Sequence, residues 1–217
     1  MYASPLIHLR NADLHASLRL RGAALVGLRF APDDLNLVLG FADPEAHDHV
    51  PIYAGALVGP IANRLQGGRL QIDGQTYQMD LNEGGITTLH SGPDGLHARN
   101  WDVLQQSKAA VTLGCTLPDG ACGLPGTRKI TARYSLDGST LILEITATTD
   151  AATPINIAAH PYWNLDGQGD LRSHRLHLNT NQYLPTDADN LPLNAPEDTT
   201  GSLFDFSTPR AIPRGPA

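Results

Sequence analysis

Residues 160–165 read His-Pro-Tyr-Trp-Asn-Leu and set an imidazole, two aromatic rings and an amide close together. An imidazole titrates at about 6.5 when unperturbed, so His160 can give or take a proton near neutral pH. The rings of Tyr162 and Trp163 offer flat apolar walls with a polar handle, which suits the CH faces and hydroxyls of a sugar. Taken alone, a histidine of this kind is more often structural, packed at a strand end.

Two further clusters shift that weighting. Residues 59–64, Gly-Pro-Ile-Ala-Asn-Arg, follow the apolar run 54–58. Gly and Pro constrain the backbone ahead of Asn63 and Arg64, and a guanidinium held by such a turn can aim its planar donors at a substrate oxygen. The plainer reading of Arg64 is a solvated surface charge. Residues 89–96, Leu-His-Ser-Gly-Pro-Asp-Gly-Leu, put His90 where an apolar stretch opens into a Gly-rich loop. Such loops commonly seat functional residues, and loop packing is the equally weighted alternative for His90.

The elements that must position these clusters are strands. Residues 69–72 and 75–79 alternate around Asp73-Gly74, a pair that tolerates the positive φ angles of a tight hairpin turn. Residues 129–136 and 140–146 repeat the device around Asp137-Gly138. Residues 14–21, 22–30, 101–105, 109–117 and 174–178 are further strand candidates, and no stretch carries a sustained 3.6-residue apolar period. Many short strands joined by turns predict an all-β sandwich or open barrel. Irregular segments 32–50, 82–100 and 185–209 interrupt them, and long loops of this kind are commonly functional. Without a Pro/Ser linker or repeat, residues 1–217 are expected to form a single domain.

Composition agrees. Charged residues make up 17 % of the 217, against 21 Gly and 16 Pro, a balance that favours turns over long charged helices. The formal net charge of −7 argues against a nucleic-acid partner, which calls for a basic face. No run approaches the ~18 apolar residues of a membrane span, and residues 1–10 lack a signal-peptide pattern, so a cytoplasmic protein is expected. Cys115 and Cys122 flank Pro118, Asp119 and Gly120 and are read as reduced thiols.

The ordered set GPIANR, GRLQIDGQTYQMDLNEG, LHSGPDGLHARNWDV, NIAAHPYWNL, YLPTDADNLP and FDFSTPR resembles the aldose 1-epimerases, or galactose mutarotases, over most of the chain. That resemblance implies a large antiparallel β-sandwich that interconverts the α and β anomers of a free hexose of the galactose or glucose type. It implies His160 as the acid at the ring oxygen, His90 bonding a neighbouring sugar oxygen, Asn63 and Arg64 binding hydroxyls, and Tyr162 lining the pocket. It implies a small-molecule monosaccharide as partner and no metal, nucleotide or redox cofactor. LHSG replaces the more frequent LHGG, a change of little effect unless the backbone at Ser91 needs a positive φ.

The chain departs from the pattern at one point. The family's base is a glutamate past the segment matching FDFSTPR, with a sugar-binding aspartate nearby, and neither has a counterpart here. Glu45, Glu83, Glu144 and Glu197 sit in other contexts, and Glu144 reads as a solvent-face charge on an alternating strand. The expectation is a mutarotase fold lacking its C-terminal strands, with weak activity, or a non-catalytic carbohydrate-binding module. Unpaired strand edges would then invite self-association or a completing chain. A phosphosugar substrate would call for a basic cluster near the motifs, which the sequence does not show. His47-x-His49 and His174-x-x-His177 match no recognised metal site.

Overall fold

The computed structural model describes residues 6–41, 46–50 and 52–213. Their contacts divide the chain into two compact units, Met1–Trp163 and Asn164–Ala217.

The first unit opens with β1 (Ile7–Arg10), β2 (Leu14–Arg19), β3 (Ala24–Phe30) and β4 (Leu35–Asn36), hydrogen-bonded in that order as an antiparallel sheet. A single helical turn, α1 (Ala46–His49), follows. Short strands come next: β5 (Leu57–Val58), β6 (Arg64–Gln66), β7 (Arg69–Ile72), β8 (Gln75–Gln78) and β9 (Thr87–Leu89). A second antiparallel sheet holds β10 (Asp102–Gln106), β11 (Ala110–Leu117), β12 (Arg128–Asp137) and β13 (Thr140–Thr149), again in sequence order. Finally β14 (Ala158–Ala159) returns to pair with β5.

Period-two patterning places the core. Ile7, Leu9, Leu14, Ala16 and Leu18 point inward from the first sheet; Val111, Leu113, Leu117, Ile130, Ala132 and Tyr134 point inward from the second. All belong to one apolar cluster with Trp101, so the sheets share a core as a sandwich does. Each fully buried Leu or Ile contributes roughly 1.5–3 kcal/mol. The Tyr134 hydroxyl crosses this core and donates to the carbonyl of Ala23 at 2.9 Å. At the outer edge, β13 has β12 on one side and no described strand on the other.

Both anticipated hairpins are present. Asp73 and Gly74, at φ 49° and 81°, link Ile72 to its partner Gln75 as a turn with two left-handed residues. In the second hairpin Asp137 still pairs with Thr140, so the turn falls on Gly138-Ser139, one residue later than the sequence pattern placed it. Only its first residue, Gly138 at φ 52°, is left-handed, a role that glycine alone fills without strain.

The second unit holds the two-residue strands β15 (Arg175–Leu176), β16 (Gln182–Tyr183), β17 (Glu197–Asp198) and β18 (Arg210–Ala211), paired as β15 with β18 and β16 with β17. The strand expected over 174–178 shrinks to Arg175–Leu176, and Leu178 is exposed. Leu191 and Phe206 are buried, whereas Leu171, Leu193, Leu203 and Phe204 face outward.

Candidate active site

Four short elements of the first unit converge. β5 and β14 pair with Val58 opposite Ala158 and Leu57 opposite Ala159. Just past β14, His160 donates its backbone N–H to Ala56 O and accepts from Gly55 N–H, both at 2.9 Å. Gly55 can occupy that position because it has no side chain: at φ 72°, an added Cβ would lie 1.9 Å from the carbonyl oxygen of Leu25. β6 and β9 pair with Arg64 opposite Leu89, which puts His90 beside Asn63.

His90 is buried and tightly fixed. Its backbone N–H donates to Asn63 O, and its ring Nδ1 accepts from Asn63 N–H, each at 3.0 Å. An Nδ1 that accepts carries no proton, so the neutral ring holds its proton on Nε2 and presents a donor there. Burial, assisted by His160, His97 and Arg64, pulls the pKa of His90 down to about 4, so the ring stays neutral at physiological pH. The next residue, Ser91, has φ 67°, so the backbone does adopt the angle at which serine is strained. Its hydroxyl has a compensating use: it accepts from Ile61 N–H at 2.7 Å and donates to Ile61 O at 3.1 Å.

The rings of His90 and His160 lie 5.4 Å apart, edge to face. Tyr162 packs 5.2 Å from His160 and anchors its hydroxyl on Ile52 O at 3.0 Å. Asn63 is exposed with φ 63°, and Arg64 follows it into β6. His160, His90, Asn63, Arg64 and Tyr162 therefore occupy one neighbourhood within the first unit.

Two participants were not singled out in the sequence. Tyr53 stands edge-on to His90 at 4.7 Å and to His97 at 4.8 Å, and 6.0 Å from His160. Burial, with Glu83 adding, raises its pKa, so its phenol stays protonated. Tyr53 also borders an adjoining cavity of about 240 Å³, lined by Arg19, Arg21 and His97 among others, which the five sequence-derived residues do not line. The second is Glu83, set aside in the sequence, whose carboxylate grips Arg64 with Oε2 2.6 Å from Nε and Oε1 2.7 Å from Nη2. These bonds hold the Glu83 carboxyl below its usual range.

Among the described residues no group of three or more His, Cys, Asp or Glu side chains could hold a metal ion. His174 instead accepts from Leu165 N–H at Nε2, 2.7 Å away.

Two antiparallel sheets around one core, with short paired strands presenting a histidine pair, define a galactose mutarotase-like β-sandwich. A C. elegans aldose epimerase homologue superposes with a TM-score of 0.91 at 32 % identity, covering 97 % of this chain and 66 % of that one. The aldose 1-epimerase family matches residues 5–216, and the chain belongs to that family. It is 33 % identical to the aldose 1-epimerase of Escherichia coli over 213 residues, which is 95 % of this chain and 61 % of that protein. It is 35 % identical to the galactose mutarotase of Rattus norvegicus over 206 residues, 93 % of this chain and 60 % of the rat protein. The chain thus spans about three-fifths of the length of these relatives.

Proposed function

We propose that this chain forms the sugar-holding and proton-donating part of an aldose 1-epimerase site, acting on a free hexose of the galactose or glucose type. The observation that carries the reading is the His90–His160 pair, 5.4 Å apart beside Asn63 and Arg64, with His90 fixed as a neutral Nε2–H donor. In this reading His90, Asn63 and Arg64 hold sugar oxygens, and Tyr162 braces His160. His160 protonates the ring oxygen while a base takes the proton of the anomeric hydroxyl. The bond between ring oxygen and C1 breaks, leaving an open-chain aldehyde. Rotation about C1–C2 exposes its other face, and reclosure with the reverse proton transfers gives the other anomer. Acid and base must each lie within hydrogen-bond reach of one O–C–O unit.

The chain's described glutamates are poor bases for this step. Glu83 is engaged by Arg64, Glu144 pairs with Arg133 at 2.8 Å on the exposed face of β12 and β13, and Glu197 accepts from Tyr183 at 2.9 Å. Acid assistance alone is worth about 10²–10⁴-fold, so turnover by the 217-residue chain is expected to be modest. The same observation favours a second reading, a carbohydrate-binding module without turnover. Among the described residues β13 has an unpaired edge, and we place self-association or a completing chain there in either case.

Polarimetry on freshly dissolved α-D-galactose and α-D-glucose tests the first reading against buffer and a His160→Ala variant. Acceleration that His160→Ala abolishes is the expected result. Calorimetric binding of either sugar without acceleration would establish the second reading instead.

A further inference from the structure

We propose that Glu83 is a positioning residue that orients the Arg64 guanidinium toward the sugar. The inference rests on the reading of Asn63 and Arg64 as hydroxyl-binding residues and extends it. Two parallel bonds, Nε to Oε2 at 2.6 Å and Nη2 to Oε1 at 2.7 Å, fix the plane of the guanidinium as well as its position. A single contact, or a lysine in place of Arg64, would fix neither.

The carboxylate is itself anchored. The hydroxyl of Thr87 donates to Oε2 at 2.9 Å, and Thr87 is only 2 % exposed. Reciprocal backbone bonds between Glu83 and Thr87, both 3.2 Å, tie this turn to the start of β9. The same strand ends at Leu89, opposite Arg64, and leads directly into His90. Glu83 therefore links the guanidinium to the strand that carries the histidine.

The bidentate contact also decides which donors are left. A guanidinium has five N–H groups, and Glu83 engages Nε and Nη2. Nη1 turns to the Asn63 side, with Asn63 Oδ1 3.4 Å away. Asn63 and the remaining Arg64 donors thus form one polar edge beside His90. An exposed ion pair contributes little by itself. This one is 21 % exposed on the arginine and 35 % on the glutamate, doubly bonded and held by a third residue.

The test combines NMR of the Arg64 Nε–H with hexose binding and mutarotation by the 217-residue chain. In Glu83→Gln the slowly exchanging Nε–H signal should vanish, and KM or Kd for D-galactose should rise about tenfold with kcat changed less than twofold. In an Arg64→Ala background, Glu83→Gln should have no further effect on affinity, an outcome that a merely structural role would not produce. Should Glu83→Gln fail to fold, Thr87→Val removes only the hydroxyl anchor and should raise KM about threefold. Unchanged affinity in Glu83→Gln, or additive effects of the two substitutions, overturns the proposal. If the unmodified chain binds no hexose, the sugar-site reading falls and the proposal falls with it.

Discussion

His90 illustrates how one backbone contact sets a side chain's chemistry. Because Asn63 N–H occupies Nδ1, the ring is a donor at Nε2 and has no lone pair to offer there. Its low pKa, about 4, and that of His97, also about 4 through burial and Arg21, have a second consequence. In the unfolded chain both rings return to about 6.5. Between pH 6.5 and 4 the unfolded state therefore binds protons that the folded state refuses, and stability rises with pH across that window. The contribution is fully present above about pH 6.5 and is lost as the pH falls toward 4. Thermal melts between pH 7 and 4.5 should show a falling Tm, and His97→Gln should flatten the fall. A slope unchanged by His97→Gln would contradict neutral burial of that ring. At this scale the sequence exposed only part of the site. His160, His90, Asn63 and Arg64 stood out because each lies in a compact motif. Glu83 did not, because it lies 19 positions from Arg64 and reaches it only through the pairing of β6 with β9. Its one sequence signal was the Glu-Gly-Gly turn just ahead of Thr87. Tyr53 left no signal, since a left-handed tyrosine at φ 56° cannot be read from residue type.

Among the elements, the pairing of β5 with β14 governs the site, and Gly55 is its tightest point. Gly55 O accepts from Leu25 N–H and Gly55 N–H donates to His160 O, both at 2.9 Å, so one residue joins β3 to the histidine. With Leu25 O only 1.9 Å from where a Cβ would sit, Gly55→Ala should cost about 3 kcal/mol or more. Gly74→Ala is the informative control. Gly74 is also left-handed, at φ 81°, but faces open space, so only backbone strain of about 1–2 kcal/mol applies. Chemical denaturation of both variants checks this, and equal losses would show that the close approach at Gly55 is relieved elsewhere. The hairpins around Asp73-Gly74 and Gly138 were legible because turn chemistry and alternation are local. The pairing of β5 with β14 was not, because two-residue strands carry no periodicity and their register is set by tertiary contacts.

Among the described residues of the first unit, the sandwich is closed by apolar side chains from both sheets, and Tyr134 adds a polar contact through the core to Ala23 O. Tyr134→Phe keeps the ring and removes the donor. Leaving that carbonyl short of a partner should cost about 1–3 kcal/mol, read as a lower urea midpoint at unchanged m-value. No change in midpoint would mean that the ring alone carries the contribution. Strand alternation pointed to an all-β class, a sandwich or an open barrel, and the family resemblance chose the sandwich; the partnership of β1–β4 with β10–β13 was not legible, because alternation says which face is buried and not what buries it. The return of β14 to β5 also sets a schedule for biosynthesis. Val58 finds its partner only when Ala158 has been made. At synthesis rates of about 5–20 residues per second, β5 waits roughly 5–20 s on the ribosome for that strand. During that interval the buried Leu57 and Val58 have no mate, and the nascent chain offers them to whatever chaperone or neighbouring chain arrives first.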